Sequence, residues 1–124
     1  MKNNYKICVY AICKNEENFV DKWYNSMKEA DYIVVLDTGS TDNTVKKLSV
    51  LPNVIIEQKI INPWRFDVAR NESMKLIPSD TDICVCTDLD EILNEGWATI
   101  LRQNWYEGLN KVKYTYIWSF QNKG

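Results

Sequence analysis

The sequence predicts an α/β chain, a mostly parallel sheet with helices on both faces. Two observations carry this expectation. Short apolar runs alternate with stretches of helical spacing along the chain. Turn and breaker residues, among them Gly39, Pro52 and Pro78, stand where one kind of segment gives way to the next.

Taken in order, Lys6 to Ile12 (KICVYAI) reads as a short buried strand. Glu16 to Glu29 reads as a helix: Phe19, Val20, Trp23, Tyr24 and Met27 recur at helical spacing, and Glu16 and Glu17 sit in the first turn, where the helix dipole favours acids. Asp31 to Leu36 (DYIVVL) is the second strand, ending in the turn-rich DTGSTDNT. A short helix from Thr44 to Leu51 is closed by Pro52, and Asn53 to Glu57 (NVIIE) is the third strand. A loop through Asn62-Pro63-Trp64 leads to a helix over Asp67 to Ile77 that turns Val68, Ala69, Ser73, Leu76 and Ile77 inward. Pro78-Ser79-Asp80 stops it. Asp82 to Thr87 (DICVCT) is the fourth strand, and Trp97 to Trp105 another helix. From Val112 to Phe120 apolar residues alternate strictly, giving a last strand whose aromatic stripe is read as core or sheet interface.

The 124 residues suit one domain with a core of its own. A net charge of −2 gives no electrostatic reason to expect nucleic acid as a partner. The N-terminus lacks the pattern of a signal peptide, and no run approaches the ~18 apolar residues that cross a bilayer. The expectation is a cytoplasmic protein, with peripheral contact at the inner face of the membrane left open. Cys8, Cys13, Cys84 and Cys86 lack the close pairs of a zinc site and read as buried free thiols. The chain has no histidine, which removes Ser-His and Cys-His chemistry and leaves carboxylates to act.

A sheet of this kind binds ligands beyond the carboxyl ends of its strands. The first strand ends at Ala11-Ile12 and runs into Cys13-Lys14-Asn15-Glu16, the second ends at Asp37-Thr38-Gly39-Ser40, and the fourth at Asp88-Leu89-Asp90-Glu91. Two apolar strands thus deliver carboxylates to one rim, which is costly unless a cation or donors meet them there. The Asp88-x-Asp90 spacing suits a hard divalent cation completed by water and phosphate oxygens. An isolated D-x-D is weak, and Asp37 to Asp42 alone is a good turn and cap; their joint placement at strand ends makes a site. Arg70, early in its helix, could reach a phosphate or pair with Asp67 or a rim aspartate; Lys14 could reach phosphate or stay solvated.

The segments Ala11–Glu17, Val35–Thr44, Pro63–Asn71 and Thr87–Glu91 occur in an order that resembles family 2 glycosyltransferases of the GT-A fold. That fold is Rossmann-like and binds nucleotide-diphospho-sugars. The resemblance is strongest to a bacterial branch that includes lipooligosaccharide glucosyltransferases and peptide S-glycosyltransferases, and it runs from about Val9 to Phe120. It implies that Ala11 and Ile12 line the nucleotide pocket, that Asp37 meets base or ribose, and that Arg70 approaches the nucleotide. Asp88 would lie near the ribose, and Asp90, with Asp88 beside it, would hold Mn²⁺ or Mg²⁺ on the diphosphate. Glu16, Thr38, Gly39 and Leu89 belong to the same donor-binding set. Thr38 stands where the family's turn carries a second acid.

The implied activity is inverting transfer from a UDP-sugar to a saccharide, lipid-linked or peptide acceptor. The alternative is a catalytically silent nucleotide- or sugar-binding module. Family members continue past this length into an acceptor-binding half, so residues 1–124 are expected to be the donor half, with no general base assigned. Glu91 is too near the metal position for that role. The apolar face of the last strand is expected to pair two copies of the chain.

Overall fold

A computed structural model of the chain describes residues 5–105. Among the described residues the sheet has four strands: β1 (Ile7–Cys13), β2 (Tyr32–Asp37), β3 (Val54–Gln58) and β4 (Ile83–Thr87). They lie in the order β3-β2-β1-β4, and every pairing is parallel. The chain leaves β1 toward β2 and β3, then returns to place β4 on the other side of β1. The strand order therefore reverses between β1 and β4, which is where such sheets open a crevice at their carboxyl ends. The register aligns those ends, with Cys13 beside Asp37, Asp37 beside Gln58, and Ala11 beside Thr87.

The helices divide between the two faces. α1 (Val20–Met27), α2 (Thr44–Ser49) and α4 (Trp97–Asn104) cover one face, burying Trp23, Met27, Leu48, Trp97 and Leu101 against Ile7, Val9, Val35 and Val85. Trp23 and Trp97 are almost entirely buried, and side chains of that size supply much of a small core's stabilisation. Each spends its indole N–H inside the protein. Trp23 donates to the Thr87 hydroxyl at 2.9 Å and Trp97 to the Ser26 carbonyl at 2.7 Å. The first of these pins the end of β4 to α1. α3 (Phe66–Met74) and the turn after it cover the opposite face, where Leu76, Ile77, Cys84 and Cys86 pack on Cys8, Tyr10 and Val34.

The helix expected over Thr44–Leu51 ends at Ser49, and two further helices differ from their sequence reading. The helix expected from Glu16 begins as a single 3-10 turn at Glu17–Phe19, and regular α-helix starts only at Val20. The cause is Asn15, held at φ 54°, and Glu16 at φ −124°, ψ 35°, neither of which is helical backbone. The helix expected through Ile77 ends at Met74, and Lys75, Leu76 and Ile77 close it with bonds to the carbonyls three residues back. The strand expected over Val112–Phe120 lies outside the described residues. No helix among the described residues is long and apolar enough to cross a membrane.

Candidate functional site

The site is built on two loops tied to each other. Past β1, the Asn15 side-chain oxygen accepts the amides of Thr41 at 2.7 Å and Asp42 at 3.3 Å, while the Asn15 amide donates to the Ser40 hydroxyl at 2.8 Å. The Glu16 amide donates to the buried Thr44 hydroxyl at 2.9 Å, which in turn donates to Asp42 at 2.5 Å. Glu17 accepts the Asn43 amide at 3.1 Å. Much of the polar Lys14–Asn43 chemistry therefore fixes one loop to the other, and Asn15, Ser40, Asp42 and Thr44 were not separated from ordinary turn residues by sequence reasoning.

Asp37 sits at the end of β2 with no exposed surface. Its carboxylate accepts the amides of Gly39 at 3.1 Å and Ser40 at 2.8 Å, the Ser40 hydroxyl, the Gln58 side-chain amide at 3.0 Å and the Cys13 thiol at 3.4 Å. Burial pushes its pKa up, but the bonds from Ser40, Gly39 and Cys13 outweigh that and hold it below the usual range. β2 ends in a carboxylate as its sequence indicates, but one with no exposed surface. The turn folds back over the acid and takes it inward. Thr38, 7% exposed, stands on the cavity wall in its place.

The rim acids come instead from β4 and from the loop after β1. Leu89 is drawn into the core, and the residues on either side, Asp88 and Asp90, are left exposed. Glu91 closes this turn: its carboxylate accepts the Asp88 amide at 2.7 Å and its own amide donates to the Asp88 carbonyl at 3.1 Å. The Asp88 carboxyl is pushed up by desolvation and then by Asp90, while Arg70 pulls it down. Glu16 is pushed up to about 7, first by burial and then by Asp90, Asp88 and Asp42. One Glu16 oxygen, Oε2, is buried without a hydrogen-bond partner.

Beside these acids a cavity of about 360 Å³ is lined by Ile12, Cys13, Lys14, Glu16, Thr38, Ile60, Ile61 and Trp64. Ile12 lines this cavity, whereas Ala11 is core beneath it, 1% exposed. Gly39, at φ 126°, lies under Ile60. The Cys13 thiol is pushed far up by burial and by Asp37, so it is a neutral donor and no nucleophile. Trp64, Ile60 and Ile61 enter from the β3–α3 loop, and only their apolar character in a polar loop could have marked them.

Arg70 lies on the α3 face, its guanidinium 4.7 Å from the Phe66 ring centre and 5.9 Å from that of Tyr10. Its Nε is buried without a hydrogen-bond partner. The Asp67 pairing left open for it is taken by Arg65, at 2.7 Å between two exposed side chains. The fit to a hard divalent cation rests on the donor set: carboxylate oxygens only, two exposed and one orphaned. Among the described residues no three potential ligands converge as a finished metal cage. Sites that hold Mg²⁺ or Mn²⁺ on a diphosphate commonly use one or two carboxylates and take the other oxygens from phosphate and water.

A family model described as glycosyl transferase family 2 matches residues 8–123. No curated protein matches the chain. The match covers nearly the whole sequence, and the parallel sheet flanked by helices is the architecture the family requires. The chain thus belongs to glycosyl transferase family 2, with the GT-A fold and the nucleotide-sugar donor chemistry of that family.

Proposed function

We propose that residues 1–124 form the donor-binding domain of a metal-dependent, inverting hexosyltransferase that takes a UDP-sugar. We place it in the bacterial branch of lipooligosaccharide glucosyltransferases and peptide S-glycosyltransferases. The observation that carries the metal reading is the gathering of Glu16, Asp88 and Asp90 beside a cavity at the strand-order switch. Carboxylates held together against their own repulsion call for a cation. Asp90 is the principal ligand for Mn²⁺ or Mg²⁺, with Asp88 beside it. When bound, the cation neutralises charge on the departing diphosphate.

The protein's own groups hold and orient the donor. Ile12, Thr38 and Lys14 border the nucleoside, and Asp37 acts indirectly, by fixing the turn that presents Thr38 and Gly39. Arg70 offers a guanidinium braced by two rings toward the Asp88 side of the crevice. Glu91 is tied to the Asp88 amide, which supports leaving the general base unassigned. The acceptor is a saccharide, a lipid-linked group or a peptide, and self-association runs through residues 112–120, which the sequence alone reads as a strand. We place the protein in a reducing, cytoplasmic setting, where buried thiols such as Cys8 and Cys13 persist.

Melting temperatures with UDP-, GDP- and CMP-sugars, each with and without Mn²⁺, test the reading. The expected result is a shift with UDP-sugars that needs the metal. Release of UDP from a bound donor identifies an enzyme; binding without release would make the chain a silent binding module. No shift with any donor would contradict both.

A further inference from the structure

The cavity has two unlike walls. Lys14, Glu16 and Thr38 make one polar, while Ile60, Ile61 and Trp64 make the other apolar. Ile60 and Trp64 are left 73% and 55% exposed. Ile60 lies over the β2 turn, its Cγ1 3.6 Å from where a side chain on Gly39 would begin. Two large apolar side chains facing water across a cavity are a surface that gains when a flat apolar partner covers it.

The sheet order says which partner. From β3 to β4 the carboxyl edge spans three strand spacings, roughly 14 Å. Trp64 belongs to the loop after β3, and Asp88 and Asp90 follow β4 at the other end. A nucleoside diphosphate is an elongated molecule of similar reach, charged at one end and flat with an apolar face at the other. Glu16, which feels the charges of Asp90 and Asp88, lines the same cavity as Trp64, so a diphosphate at the acids leaves its base within reach of the apolar wall.

We propose that Trp64 stacks on the donor's nucleobase, with Ile60 completing the cover, so that the base end is held by stacking rather than by the buried Asp37 carboxylate. This rests on the donor-site reading above. Every base offers a π-face, so Trp64 sets affinity for the base end with little preference among bases. The molecule places Trp64 for this without cost to the fold, since its side chain is largely outside the core.

Calorimetry with uridine, and with UDP plus Mn²⁺, tests the assignment on the full chain and on Trp64→Ala, Trp64→Phe and Asp90→Asn. Trp64→Ala is expected to weaken uridine and UDP by the same factor, roughly tenfold or more. Trp64→Phe should restore most of the loss, and uridine should quench indole emission in the parent more than in Trp64→Phe. Asp90→Asn should weaken UDP while leaving uridine unchanged. A Trp64→Ala chain that binds uridine as tightly as the parent overturns the stacking role and leaves the donor site standing. A parent chain that binds neither UDP nor uridine overturns both.

Discussion

Replacing Asp37 by alanine separates a carboxylate that shapes the site from one that touches the ligand. The change removes the acceptor of two backbone amides, one side-chain amide, one hydroxyl and one thiol at a position with no exposed surface. A hydrogen bond to a charged group is worth ~1.5–3 kcal/mol, and a buried donor left without a partner costs about as much. Gly39 and Ser40 are half-buried, so water recovers part of the loss for their amides. The net expectation is ~3–5 kcal/mol, a large share of the ~5–15 kcal/mol that holds a domain of this size together. Thermal unfolding followed by circular dichroism should show a Tm lower by roughly 10–20 °C. The loss should also depend on pH. The Asp37 pKa is depressed in the folded chain, so its stabilisation is present above the ordinary Asp range and disappears as pH falls through the folded value. Parent and variant should converge on acidification. An Asp37→Ala chain that melts within about 2 °C of the parent, yet no longer binds uridine, would refute this and return Asp37 to the ligand.

Glu16 has the opposite sign. Its folded pKa of about 7 lies above that of a free glutamate, so its ionised form disfavours the fold. The penalty is absent below the ordinary Glu range, grows as pH rises and is complete above about 7. Glu16→Gln should therefore stabilise the fold at about pH 8 by on the order of 1 kcal/mol after solvent screening, read as a higher Tm, and change little at about pH 4; equal destabilisation at both would rule out charge repulsion as the cause. Gly39→Ala places a side chain at φ 126°, where only glycine is comfortable, though the space beside Ile60 is adequate. A loss of ~1–3 kcal/mol in urea unfolding is expected, and an unchanged midpoint would mean the turn adapts.

The four described strands were legible to within a residue at each end, because β1, β2 and β4 are mostly apolar and only a sheet covered on both faces can bury them. The placement of Asp88 and Asp90 at the end of β4 was legible for the same reason, with Leu89 between them drawn into the core. What the sequence concealed is direction. Asp37 has the same surroundings in sequence as a rim acid, and only the backward fold of Gly39 and Ser40 turns it inward. Asn15 looks like any loop asparagine until its side chain is seen to hold the amides of Thr41 and Asp42, residues 26 and 27 positions away. Glu16 was expected at a helix N-terminus, where the dipole favours an ionised acid. It instead lies before the 3-10 turn, facing Asp90 and Asp88, with its pKa raised. Trp64 gave no periodic signal, since its role comes from a loop laid beside two strands distant in sequence.

The central claim is that the acids at the strand-order switch hold a cation on a nucleoside diphosphate. Calorimetric titration of UDP, with Mn²⁺ and then with EDTA, tests it most directly when run on the parent and on Asp90→Asn. The account expects the parent to bind UDP with Mn²⁺ and to lose nearly all of that affinity in EDTA, while Asp90→Asn, at unchanged Tm, binds weakly in either condition. Equal UDP affinity with and without metal, or an Asp90→Asn chain that binds as the parent does, would contradict it.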